Sequence, residues 1–306
     1  MFLPRSIAMK IPLPGITDPH IHIFNDTAYL YASHDFSPTN ETFDMRDWQL
    51  WSSKDLENWK HRSTLTPEET YVGEPMSGCW ATDALFHDGY YYWFFSEVRE
   101  KVPLHQIGVV RSRNPDGPWE DFLHRPLVAQ DAVPGHAYDP CVFEDKGRIY
   151  MIFGVWDYYL VELNEDISGF LSSAVKIDII DPEGPYGKGK TDDKAFLHKR
   201  KNIYYLSWGC YYAVSSALEG PYQCMGSFLS EETIAPSMRT PTWPHGPTQG
   251  RHGSFFTWKG RDYFCYCDMS HSGNRYYRSW WISQIHYHAD GSIKPMKIQP
   301  DPLNVE

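Results

Sequence analysis

This chain gathers its apolar residues in short runs, and no stretch sustains the 3.6-residue period of a long helix. The runs Ala28–Ser33 (AYLYAS), Tyr90–Ser96 (YYYWFFS), Arg148–Gly154 (RIYMIFG), Ile203–Gly209 (IYYLSWG) and Asp262–Asp268 (DYFCYCD) are dominated by ring-bearing and branched side chains. Such side chains suit a pleated surface, and the Gly, Pro, Asn and Asp residues between the runs supply tight turns. A shorter apolar run and a turn precede each of them, so the pattern predicts five hairpins.

Set beneath one another, the hairpins share one unit: a polar anchor, an apolar strand, a turn and an aromatic strand. The units are Asp18–Asp35, Asp83–Glu97, Asp139–Gly154, Asp193–Gly209 and His252–Asp268, and successive anchors lie 65, 56, 54 and 59 residues apart. Outer segments recur as well, at Trp48–His61, Ile107–Asp121 and Tyr211–Gln223, with looser versions at Tyr158–Phe170 and Trp280–Ile293. Five units of four strands predict an all-β five-bladed propeller, a closed ring that leaves only short edges unpaired. No linker or low-complexity tract interrupts the repeats, so one domain over residues 1–306 is expected.

Charge and composition narrow the partners. There are 39 acidic residues against 28 Lys and Arg, a formal charge of −11 that repels phosphate backbones and argues against nucleic acid. Aromatic residues make up 16% of the chain, which suits a neutral ligand stacked on rings. No apolar run is long enough for a membrane span, and no signal-peptide core is visible near the first residues, so a cytoplasmic location is expected. Six scattered cysteines without a C-x-x-C pair read as buried free thiols, not a zinc site. Phosphate-cradling glycine loops and a serine nucleophile elbow are absent from the sequence.

In a propeller the innermost strand of each blade starts at one face of the central channel, so equivalent positions converge on the axis. Asp18, Asp83, Asp139 and Asp193 are expected there, with His252 in the fifth unit. The second strands return to the same face and bring Asp35, Glu97, Trp208 and Asp268 toward its rim. Carboxylates crowded round one channel repel, so at least one should be held protonated, which suits general acid and base chemistry or a cation. One such aspartate alone reads equally well as a turn cap; several in matched register favour chemistry.

These segments, ITDPHIHIFNDTAYLYASHD, CWATDALFHDGYYYWFFSE, AYDPCVFEDKGRIYMIFG, LHKRKNIYYLS, RHGSFFTWKGRDYFCY and RSWWISQIHYHADGSI, resemble in order and spacing those of glycoside hydrolase family 43, from about Pro14 to Ile293. The resemblance implies inverting hydrolysis, with Asp18 as the general base that activates water and Asp139 as the partner that tunes the acid. The family's acid is a glutamate, usually in an E-G-P sequence just before the fourth inner strand. Here Glu183-Gly184-Pro185 has those letters but falls about ten residues early, and alignment on LHKRKNIYYLS puts Asp193 at the acid position, beside Asp192. Asp193 and Glu183 both stay open as the acid.

By the same resemblance Asp83 and Arg278 approach the sugar, and His252 faces a calcium ion through water. Trp80 and Trp208 are candidates for stacking on sugar, and His20 and Glu97 are weaker candidates for binding it. No cofactor is required for the chemistry; a structural calcium at the axis is the one metal the resemblance implies, with His252 as its contact. The expected partner is an oligosaccharide, and the expected function is an inverting exo-glycosidase on plant or algal polysaccharide fragments. The leading activity is α-L-arabinofuranosidase, followed by β-xylosidase or a galactose-type exo-enzyme. A propeller that binds sugar without cleaving it is the alternative from a different class, motivated by the displaced E-G-P.

Overall fold

A computed structural model describes residues 14–99, 103–229, 251–269 and 272–296. Five sheets are arranged as a five-bladed β-propeller, and no α-helix occurs among the described residues. The first blade is a four-stranded antiparallel sheet of Ile16–Phe24, Thr27–Asp35, Met45–Ser53 and Lys60–Leu65. The second holds Cys79–His87, Tyr90–Arg99 and Leu104–Ser112; the third holds Cys141–Asp145, Arg148–Phe153, Tyr159–Leu163 and Val175–Lys176. The fourth runs through Ala195–Arg200, Ile203–Trp208, Tyr211–Ser215 and Tyr222–Ser227, and the fifth through Gly253–Trp258, Arg261–Asp268 and Ser279–Ile285.

The expectation of four strands in every blade needs correction. In the second and fifth blades isolated bridges stand in place of a fourth ladder, Ile107 to Val128 and Arg111 to Glu120 in the second and Tyr287 to Ile293 in the fifth. The fourth blade has a fifth strand, Ile179–Ile180, laid parallel to Tyr222–Ser227. Gly and Pro near these outer segments shorten the ladders, while the inner strands, enclosed by neighbours, keep full pairing.

Inner hairpins form where the turn residues accept left-handed backbone. Asn25-Asp26, Asp88-Gly89, Lys146-Gly147 and Lys259-Gly260 all have positive φ at both positions, the geometry whose twist matches paired strands. Trp48, Trp93, Trp208 and Trp280 are fully buried, so the aromatic excess is mostly core. Trp48 Nε1 donates to the Trp80 carbonyl at 2.7 Å. The ring closes where the Ile21 amide of the first blade donates to Ser254 Oγ of the fifth, at 3.0 Å.

Close approach of strands at the axis leaves no room at Gly253, where an added Cβ would stand 1.7 Å from the Cys265 carbonyl oxygen. Gly253→Ala should therefore part the two strands at a cost of about 1–3 kcal/mol or more. At this chain length that lowers the melting temperature by roughly 5 °C. An unchanged thermal melt would show that the strands are free to separate there.

Candidate active site

Inner strands of different blades deliver their first residues to one pocket of about 220 Å³, lined by Asp18, Trp80, Ala81, Tyr138, Asp139, Asp192, Asp193, His252 and Arg278 among others. Asp18 occupies a bulge between Thr17 and His20 and has φ 47°; Asp139 has φ 61° two residues before its strand. Both backbones are left-handed, a conformation that aspartate tolerates better than most residues. The kink turns each carboxylate out of the sheet plane and toward the axis.

Asp18 is tightly held. Ser33 Oγ donates to its Oδ2 at 2.7 Å, and Arg278 donates to Oδ1 at 3.1 Å. His252 Nδ1 lies 3.0 Å from the same Oδ1. Burial works to raise its pKa, but the Arg278 guanidinium, His252 and the Ser33 hydroxyl outweigh it and hold the carboxyl well below the usual range. Asp18 is therefore ionised. Arg278 is itself oriented by Asp35, which it grips through Nε and NH2 at 3.0 Å each.

On the other side Asp139 donates its amide to Ser96 Oγ at 3.0 Å and accepts the Lys194 amide at 2.9 Å. Burial, reinforced by the charge of Asp193, pushes its pKa up to about 7. Asp192 is also buried, and burial with the neighbouring Asp193 charge raises its pKa well above the ordinary value. Asp193 is the accessible member, with 40% of its side chain exposed, and His252 Nε2 lies 3.2 Å from its Oδ1. His252 thus stands between two carboxylates. Burial disfavours its charged form, yet the Asp193 charge and the Asp18 contact raise its pKa well above the usual histidine value, so the ring is an imidazolium.

Asp18, Asp139, Asp193, Trp80, His252 and Arg278 thus meet in one pocket, and five other candidates do not. Ser33 and Ser96, toward the ends of the second strands, pair with Thr17 in the first blade and Trp80 in the second, so Ala81, not Asp83, stands level with Asp18. Asp83 is two residues deeper. There it is fully buried, with its Oδ1 2.6 Å from both His20 Nδ1 and His22 Nε2 and its Oδ2 accepting the Val142 amide at 2.6 Å. Asp83 and His20 are tied to the channel wall and not to the pocket. Glu97 is buried between the Tyr71 hydroxyl and Arg99, at 2.8 and 2.7 Å. Trp208 is core, its Nε1 donating to the Glu183 carbonyl at 2.9 Å. Glu183 opens a small hairpin of Glu183–Gly184 and Gly187–Lys188 whose contribution to the pocket is Tyr186.

Sequence reading placed Asp35 near the rim, where it orients Arg278, but missed Trp156, Tyr186 and Lys194. Trp156 is 44% exposed at φ 64° and its ring meets Tyr186 edge-on at 5.0 Å. It lines both this pocket and a neighbouring cavity of about 460 Å³ that Lys176, Asp178 and Lys190 also border. An exposed tryptophan in strained backbone was detectable only as an aromatic residue outside the repeated strand positions.

Comparison with known proteins fits this geometry. The profile of glycosyl hydrolases family 43 matches residues 15–293. The chain belongs to that family. It is 25% identical to a xylosidase/arabinosidase of Bacteroides ovatus over 92% of this chain and 95% of the relative. A β-D-galactofuranosidase of Aspergillus niger is 26% identical over 93% of this chain and 84% of the relative. Among solved structures, RS223 β-xylosidase superposes with a TM-score of 0.77 at 25% identity, covering 97% of this chain and 99% of that one. A compost-metagenome β-xylosidase/α-arabinofuranosidase, described with xylotriose in a calcium-free form, superposes with a TM-score of 0.77 at 24% identity over 99% of this chain and all of that one.

The protein is a glycoside hydrolase of the inverting kind. Contacts of 3.0 and 3.2 Å on the two nitrogens of His252 hold the Asp18 and Asp193 oxygens no more than about 8 Å apart. That spacing is compatible with the roughly 6.5–9.5 Å that admits a water between base and acid. The implied water-mediated calcium contact does not fit: both ring nitrogens of His252 are turned to carboxylates, which leaves neither to accept from a calcium-bound water.

Asp139 and Asp192 are crowded by one another and by the Asp193 charge, so their protonation is linked. With Asp139 pushed up to about 7, kcat/KM should fall on an alkaline limb near that pH as the cluster loses its proton. Asp139→Asn removes a negative charge, lowers the proton affinity of its neighbours and should move that limb to lower pH. A pH profile with an unmoved limb would disconnect Asp139 from the acid.

Proposed function

We propose that the protein is an exo-glycosidase that releases terminal α-L-arabinofuranosyl residues from arabinan- or xylan-type oligosaccharides. The pocket carries this reading: its volume of about 220 Å³ is on the scale of one sugar ring, with carboxylates round it and Trp80 and Tyr138 as apolar walls. Trp80 and Tyr138 meet edge-on at 5.5 Å, a corner against which the apolar face of a furanose packs. Relatives named for both xylose and arabinose support the substrate class. The galactofuranosidase, named for a second five-membered ring, supports putting furanosides before xylopyranosides.

In this scheme Asp18, ionised by Arg278 and His252, accepts a proton from the attacking water. The leaving oxygen takes a proton from the Asp192–Asp193 pair. Asp192 holds the proton in the buried half of the pair and passes it to Asp193, the member exposed to the pocket, which delivers it to the leaving oxygen. Asp139 crowds the pair from close by, so that a proton is retained within the group. The leaving group passes over Trp156 toward the larger neighbouring cavity.

A screen of aryl glycosides, with the product anomer followed by NMR, tests the reading. Turnover should be greatest on the α-L-arabinofuranoside, with inverted configuration. Sugar binding without turnover of any pentoside or hexoside would establish the non-hydrolytic alternative instead. For the acid, Asp193→Ala should lose about 10²–10⁴ in kcat on an ordinary glycoside and recover most of it on a dinitrophenyl glycoside, whose leaving group needs little protonation. Full activity on the ordinary glycoside would remove Asp193 from the role.

A further inference from the structure

Lys194 has no part in the roles derived so far, yet it is almost completely buried, at 1% exposure. It sits between the proton-donor pair and the fourth inner strand with φ 53°, which turns its side chain inward. From the fourth blade the side chain crosses the central channel to the second, where Nζ donates to the Thr82 carbonyl at 3.2 Å. The Asp139 carboxyl, which accepts the Lys194 amide, and Asp83, one residue beyond Thr82, are acidic groups close to its path. Its charge reaches Asp139, lowering the pKa of that carboxyl, and His20, whose imidazole it helps burial to keep neutral. A buried ammonium costs several kcal/mol unless anions face it, and here the anions of the site do so.

We propose that Lys194 is the resident cation of the axial channel, a positioning residue that does with its ammonium what a bound calcium ion would otherwise do, so that this enzyme needs no divalent metal. Two observations meet in this inference. The histidine expected to face calcium is instead wedged between Asp18 and Asp193. The other cluster with metal-ligand spacing, His20, His22 and Asp83, lies beside the same ammonium, and its shared carboxylate oxygen is already within 2.6 Å of both rings. A divalent ion placed at either would be repelled by a fixed positive charge in a medium of low dielectric. Round Asp139 lie Asp18, Asp192, Asp193, Lys194 and His252, of which Lys194 and His252 are the cations.

The first test needs no substrate, so it stands whatever sugar the enzyme prefers. Wild-type protein treated with a chelator and then titrated with Ca²⁺ should give no binding heat and no change in melting temperature. Stoichiometric Ca²⁺ binding with a raised melt would overturn the proposal. The second test is kinetic. Lys194→Met should lower kcat by about tenfold or more with little change in KM, and should move the alkaline limb to higher pH because Asp139 loses its cation. That shift is opposite in sign to the one expected for Asp139→Asn. Lys194→Arg should restore both. A Lys194→Met enzyme with a wild-type pH profile, or one restored no better by Arg than by Met, would reduce Lys194 to a packing residue.

Discussion

The structure depends on compensating negative charge in a narrow buried channel. Asp18, Asp35, Asp83, Asp139 and Asp192 are all buried within the inner ring of strands. In a low-dielectric space they cannot all be ionised without cations to match. Arg278 neutralises Asp35 and reaches Asp18; His252 spans Asp18 and Asp193; Lys194 crosses between Asp139 and the second blade. Where a cation is close, as at Asp18, the carboxylate is ionised and suited to be a base. Where burial and like charge prevail, as at Asp139 and Asp192, a proton is retained. One channel therefore holds a base and an acid at the same pH.

The propeller makes that charge pattern rigid. The participating side chains come from the starts or ends of strands in several blades, and blade-to-blade hydrogen bonds lock the strands in register. The Val142 amide on Asp83 joins the second and third blades, and the Ile21 amide on Ser254 closes the ring. Positive charge and base are thus prearranged, so little reorganisation is left for the moment of reaction. The left-handed backbone at Asp18, Asp139, Trp156 and Lys194 shows where the chain accepts strain to aim side chains inward.

Much of this was legible in the residues. The aromatic runs at Tyr90, Arg148, Ile203 and Arg261 are the second strands of their blades, because rings and turn residues obey local rules that a repeat reinforces. Asp18, Asp139, Asp193 and His252 were legible as anchors for the same reason. Asp83 was not correctly placed, because bulges change strand register by one residue at a time and leave no composition signal. Glu183 misled by its letters: the hairpin it begins turns Tyr186, not its own carboxyl, toward the pocket. Trp208 and Glu97 looked like rim residues but are sealed by Tyr71, Arg99 and the hairpin backbone, which come from other parts of the chain.

By itself, then, the sequence determined the strand content, the five-fold repeat and the family, since each rests on short-range pattern or on motif order. The tertiary structure decided which acids are charged. That outcome depends on burial and on cations brought from far along the chain, such as Arg278 onto Asp18 and Lys194 onto Thr82. Electrostatic energy depends on distance through space and on the exclusion of water, and neither quantity exists until the ring has closed.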